Sequence, residues 1–159
     1  MDYPLMNIDV PEGTNIKKIY HISDIHINLY KKHDEYVQVF NNLYKFLNKE
    51  RDIHNYNKFE AIIVVTGDIL HSKTELSPEC VQLTSDFFNN LSSIMPVVII
   101  AGNHDANLSN KNRLDSLSPI IGKFDMNPHI PLYYLKDTGI YEMANITFGV
   151  TSVFDYYLL

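Results

Sequence analysis

The chain has a single cysteine, Cys80. One thiol excludes an internal disulfide and fits a reducing compartment. Cys80 falls in a segment with helical periodicity and has no base beside it in sequence, so it reads as core rather than as a nucleophile. No apolar run approaches the roughly 20 residues that span a bilayer, so no membrane span is expected. The opening Met1-Asp2-Tyr3-Pro4 lacks a basic stretch leading into an apolar one. No secretory signal is expected there, and an intracellular location, cytoplasmic or nuclear, is expected instead. Positive charge is also short: 13 Lys and Arg stand against 19 Asp and Glu, a formal net charge of −6. Bulk electrostatics therefore do not attract nucleic acid. Internal repeats, low-complexity tracts and domain linkers are lacking too.

What is there is a globular composition, 45% hydrophobic and 12% aromatic in 159 residues. That supports one domain with a sizeable core. Residues 1–16 carry Pro4, Pro11 and Gly13 and little periodicity, so they read as a flexible arm. Residues 17–159 form the domain, which is organised around Val97-Val98-Ile99-Ile100-Ala101-Gly102-Asn103-His104-Asp105. Four β-branched residues in a row predict a buried strand, and a glycine ends it. An amide, an imidazole and a carboxylate follow at once.

The pattern occurs twice more. A strand over about 17–23 runs into Asp24-Ile25-His26, and one over about 59–66 runs into Gly67-Asp68, with His71 three residues on. Between the strands, apolar spacings of three and four predict helices over about 34–49 and 77–94. Asp34 is the expected cap of the first. Ser77 is the expected N-cap of the second, with Pro78 at its first position. Strand–helix–strand–helix–strand predicts an α/β fold with parallel strands and right-handed crossovers. Residues 51–58 read as a polar turn and 113–120 as a short helix. Strands are expected over 132–135, 139–143 and 145–154, with a hairpin turn at Ala144-Asn145.

In open α/β sheets, ligands bind just beyond the carboxyl ends of the strands. Asp24 and His26, two apart in an extended segment, would point the same way and offer a divalent ion hard oxygen plus imidazole. Asp68 could bridge two ions, and Asn103 could add a neutral carbonyl oxygen. A carboxylate shared by two ions is the usual arrangement for phosphate-ester hydrolysis by metal-activated water. His104, beside a ligand but directed elsewhere, suits protonation of a leaving oxygen. Asp105 could orient His104 through a ring N–H. His71 could touch substrate or lie on the surface. Lys31, Lys32, Lys73, Lys111 and Arg113 all leave this edge of the sheet. They are either solvated loop residues or a basic rim, with Lys73, Lys111 and Arg113 the candidate substrate contacts. His21 reads as core, and His33 and His54 read as surface. The tyrosines Tyr133, Tyr134, Tyr141, Tyr156 and Tyr157 read as sheet packing.

Asp24-Ile25-His26, Gly67-Asp68 and Gly102-Asn103-His104-Asp105, in this order and at these strand ends, resemble the calcineurin-like metallophosphoesterase family. His71, three after Asp68, resembles its SbcD-like branch, the DNA double-strand-break-repair exonucleases. Serine/threonine phosphatases of the superfamily carry Asp-Arg-Gly after the second motif and Glu at the end of the third, and this chain has neither. The resemblance implies an α/β/β/α sandwich and two divalent ions, usually manganese. It implies that Asp24 and His26 hold the first ion, that Asp68 bridges and that Asn103 holds the second. His104 would be catalytic, and His71 would place the nucleic-acid end. DNA would be the substrate, with a homodimer and an SMC-like ATPase as possible partners. The family's later histidine ligands and its Gly-His-x-His block have no counterpart here. The downstream histidine is His129, near Pro128 and Pro131, where no ligand is expected. A domain incomplete at its C-terminus is the expected reason. Ligands from another chain, or a catalytically inactive binding domain, are the others. Hydrolysis of nucleotides or phosphomonoesters is the alternative within the same chemistry.

Overall fold

A computed structural model describes residues 3–28, 32–72, 76–106, 114–124, 127 and 129–155. In chain order the elements are β1 (Leu5–Asn7), β2 (Lys18–Ile22), α1 (His33–His54), β3 (Ala61–Thr66), α2 (Pro78–Ile94), β4 (Val97–Ile100), α3 (Ser118–Ile121), β5 (Leu132–Tyr134), β6 (Gly139–Met143) and β7 (Ile146–Val150). A single 3-10 turn follows at Val153–Asp155. Strands β2-β3-β4-β5 form one sheet in that order, and every pair in it is parallel. Strands β1-β6-β7 form a second sheet, with β1 parallel to β6 and β6 antiparallel to β7.

Alternation along β3 and β4 sorts the molecule into layers. Ala61, Ile63 and Val65 of β3, with Val97 and Ile99 of β4, pack with Phe40 and Leu47 of α1 and Phe87, Phe88 and Leu91 of α2. Ile62 and Val98, with Val64 and Ile100, turn the other way onto Tyr141, Met143 and Val150 of the second sheet. A strand covered on both faces needs apolar residues throughout, which is why β3 reads as an unbroken apolar run. The buried apolar residues of α1, α2 and α3 belong to the first core. Among the described residues the layers are therefore helix, sheet, sheet, three of the four that a two-sided sandwich has. Among the described helices none is long and apolar enough to cross a membrane.

Several expectations need correction. The 1–16 segment is not loose where it is described. Leu5–Asn7 pair in parallel with β6, and Ile8 N–H donates to the Glu142 carbonyl at 2.8 Å. Met6, Ile8 and Val10 alternate inward, and Ile16 is buried in the second core. The Asn145 side chain accepts from Ile16 N–H at 2.6 Å and donates to its carbonyl at 3.0 Å. Helix α1 runs on into the expected polar turn as far as His54, and Asn55 stops it in the left-handed region at φ 51°. Its N-cap is Lys32, with no side-chain cap bond, and Asp34 lies in the first turn. His33 is buried, and its Nε2–H donates to the Asn28 carbonyl at 2.8 Å. His21, by contrast, is exposed, because β2 is an edge strand, and its ring meets the Thr66 hydroxyl. The last strand ends at Val150 rather than at 154. Ser152 Oγ donates instead to the Lys136 carbonyl, and Asp155 accepts from Thr138 N–H, so side-chain bonds replace the ladder. The expected short helix is described over Ser118–Ile121. Lys31, Lys73, Lys111, Arg113, Tyr156 and Tyr157 lie outside the described residues, as does Pro128. Lys32 is exposed.

Candidate metal centre

Parallel pairing brings the carboxyl ends of β2, β3 and β4 to one edge. The loops beyond β2 and β3 stay linked there by backbone bonds. Asp24 N–H donates to Gly67 O at 3.3 Å, His26 N–H to Asp68 O at 2.9 Å, Ile27 N–H to Ile69 O at 2.8 Å, and His71 N–H to Ile27 O at 3.0 Å. The first loop is not extended, as the motif spacing had suggested. Asp24 (φ 54°) and His26 (φ 49°) are both left-handed and flank Ile25. Gly67 (φ 79°) and Asp68 (φ 50°) repeat that conformation in the second loop. Left-handed geometry is costly for non-glycine residues and clusters where function over-determines the backbone.

These turns bring the side chains together. His26 Nε2 lies 3.9 Å from Asp24 Oδ1 and 3.9 Å from Asp68 Oδ2. That is too long for a hydrogen bond. It suits two donors sharing one ion, since bonds of about 2.1 Å place donors roughly 3–4 Å apart. Ligand atoms of His26, Asp68 and His104 all lie within 4.8 Å of one another. Imidazole and carboxylate are a donor set that manganese, iron or zinc accepts. His26 Nδ1 is buried without a hydrogen-bond partner in the described structure. Asp24 is the more open carboxylate, with 67% of its side chain exposed against 17% for Asp68. Ser23 Oγ–H donates to Asp24 Oδ2 at 2.7 Å.

Space for Asp68 comes from two glycines. A Cβ on Gly102 would meet Asp68 Oδ1 at 2.1 Å and Asp68 N at 2.3 Å. A Cβ on Gly67 would meet Gly102 Cα at 2.9 Å. Bare backbone on both loops lets them close, and His104 N–H then donates to Asp68 Oδ1 at 3.0 Å. One Asp68 oxygen is thus held by the backbone, and the other faces His26.

His104, expected to point away from His26 and Asp68, lies beside them. Its ring meets that of His26 edge-on, centroids 5.0 Å apart. Its Nδ1–H donates to the His71 carbonyl at 3.0 Å, which leaves the Nε2 lone pair for the site. The exposed His71 ring stacks beside it, 5.9 Å away and tilted by 21°. Asn103 is exposed in the turn between Gly102 and His104.

Asp105 does not orient the His104 ring. It is fully buried, and its carboxylate accepts from Ile69 N–H at 3.2 Å, Leu70 N–H at 2.8 Å and Gly102 N–H at 2.9 Å. Burial pushes this carboxyl up from its ordinary value, partly offset by those three donors, and the nearby Asp68 adds to the rise. Asp105 therefore staples the second loop to the third. One strand over, Asp115 is a second buried carboxylate that the motif pattern did not single out. It accepts from Lys136 Nζ at 2.8 Å, Ser118 N–H at 2.7 Å, Leu117 N–H at 3.0 Å and the hydroxyls of Ser118 and Tyr134. Burial raises its pKa, but Lys136 and Ser118 outweigh that and hold it below its ordinary value. His129 is exposed before the start of β5, at the opposite edge of the sheet.

Residues 17–158 match the family model of calcineurin-like phosphoesterases. An uncharacterized protein of Acanthamoeba polyphaga mimivirus is 55% identical to the chain over 142 residues. That match takes in 89% of this chain and 10% of the viral protein, so the chain spans about a tenth of its relative's length. The match of the family model over nearly the whole domain, with three strand-end motifs meeting at one edge, establishes that this chain belongs to the calcineurin-like phosphoesterases, a family of metal-dependent phosphoester hydrolases.

Proposed function

We propose that the chain carries the metal-binding half of a DNA nuclease of the break-repair type, working with two divalent ions, manganese by preference. The observation that supports this most is the meeting of His26, Asp68 and His104 within one small cluster, with His71 stacked on its outer side. In this reading Asp24 and His26 would hold the first ion, Asp68 would bridge the two, and Asn103 would serve the second. Ions bound there would supply an activated water and would neutralise charge on the phosphoryl oxygens. His104 in its charged form carries a proton at Nε2 and delivers it to the leaving oxygen. His71, exposed beside His104, contacts the strand end.

A second reading, hydrolysis of nucleotides or phosphomonoesters, is favoured by the net charge of −6, which does not draw in long polyanions. The test is turnover with manganese on three substrates: linear duplex DNA, bis-p-nitrophenyl phosphate and p-nitrophenyl phosphate. Cleavage of DNA that is lost in Asp68→Asn supports the nuclease. Turnover of the small esters with DNA left intact supports the second reading. No turnover of any of them, in a chain that binds manganese, points to a binding domain.

A further inference from the structure

The first motif loop is held from two directions. On the sheet side, Asp24, His26 and Ile27 donate their N–H groups to the neighbouring loop. The His26 carbonyl is taken up by Tyr36, one turn into α1, whose hydroxyl donates to it at 2.5 Å. Tyr36 is part-buried, and its ring is tilted against Phe40 with centroids 5.8 Å apart. The same ring lines a groove of about 400 Å³ together with Ile22, Ile25, Val39, Phe40 and Leu43. Ring and hydroxyl therefore have separable roles. The ring packs against apolar neighbours, and the hydroxyl reaches across to the backbone of a metal-site residue.

That residue needs holding. His26 is left-handed at φ 49°, a conformation that a β-carbon disfavours. Its ring Nδ1 has no hydrogen-bond partner in the described structure, so the ring has no bond at that nitrogen to fix its orientation. A histidine ligand is ordinarily aimed by a hydrogen bond at its other ring nitrogen. Here the orientation of His26 Nε2 toward Asp24 and Asp68 depends instead on where the backbone sets the Cα–Cβ bond. The Tyr36 hydroxyl fixes that backbone from the helix side, and Asp68 O fixes it from the sheet side.

We propose that Tyr36 is a positioning residue for the metal centre, acting through the His26 backbone. The proposal rests on the reading of His26 as a metal ligand. Tyr36→Phe keeps the ring and removes the hydroxyl, with its bonds to the His26 carbonyl and to the Asn28 backbone. Val39→Ala is the control, since Val39 lines the same groove, is 62% exposed and makes no such bond. Manganese is titrated into each chain by calorimetry, and thermal unfolding is followed in chelator. Tyr36→Phe is expected to lose about tenfold or more in manganese affinity, the scale of lost outer-shell contacts. Its metal-free melting point should stay within about 4 °C of the natural chain, the effect of one hydrogen bond. Val39→Ala should bind manganese unchanged. A Tyr36→Phe chain that binds manganese as the natural one does overturns the proposal. A second readout separates it from the metal reading. In the metal-free chain, the His26 ring proton signal should shift or broaden in Tyr36→Phe, while the Leu135 and Val150 methyls stay fixed. If the natural chain binds no manganese, the metal reading fails, and an unmoved His26 signal would independently overturn the role of Tyr36.

Discussion

Gly102 and Asp68 share one volume: a methyl group on the glycine would lie 2.1 Å from the Asp68 carboxylate and 2.3 Å from its backbone nitrogen. Rotation of the Asp68 side chain cannot relieve the second contact. Gly102→Ala must therefore spread the loops beyond β3 and β4. The expected cost is about 1–3 kcal/mol of overpacking, and manganese binding should fall with it, because His104 N–H no longer reaches Asp68. Thermal unfolding with calorimetry checks both. A Gly102→Ala chain of natural stability and affinity would show that the loops are not closed as described.

Asp105 staples the same two loops from beneath. Asn at this position would turn an NH2 group toward at least one of the three N–H donors now satisfied. Asp105→Asn should lose about 2–3 kcal/mol, the scale of buried donors left unpaired. Chemical denaturation measures it. The same variant also separates a staple from a ring-orienting role. A staple predicts lower stability in chelator, whereas a ring-orienting role predicts an unchanged metal-free chain.

The Asp115–Lys136 pair gives a pH prediction. The Asp115 carboxyl is held below its ordinary value of 3.8. Its contribution to stability is therefore present above that value and lost as pH falls through the folded one. Lys136→Met leaves a buried carboxylate without its cation, a loss of about 2–3 kcal/mol at neutral pH once the partial exposure of Lys136 is allowed for. In that variant burial dominates and the carboxyl moves up, so its protonation relieves the strain. The gap in melting temperature between the two chains should be widest near about pH 7 and should narrow toward about pH 4. A gap that is constant across this range would mean that Asp115 does not carry the effect.

The parts legible in the sequence are those written in apolar periodicity. Strands β2, β3 and β4 and helix α2 come from runs and spacings that have one physical reading. The motif residues at their ends can be placed because parallel strands must deliver their carboxyl ends to one edge. Strand β1 is hidden, because Met6, Ile8 and Val10 alternate over too few residues to stand out between prolines and a glycine. Its partner β6 lies far along the chain. The orientation of His104 is not legible, because it depends on a hydrogen bond to the His71 carbonyl that only the folded loops create. Asp105 misleads for a related reason: adjacency to His104 in sequence says nothing of direction, and the turn sends the two side chains opposite ways. Tyr36 carries no signal, since its spacing from Phe40 marks it as core and its hydroxyl partner is a backbone carbonyl.

The proposed function stands on a divalent-metal site built from His26, Asp68 and their neighbours. Manganese titrated into the purified chain by calorimetry, with Asp68→Asn as the comparison, tests it most directly. Asp68→Asn keeps the shape of the side chain and the acceptor for His104 N–H while removing the charge that faces His26. Saturable binding to the natural chain and its loss in Asp68→Asn are expected, with both chains equally folded in chelator. Binding that is absent from the natural chain, or that survives unchanged in Asp68→Asn, would contradict it.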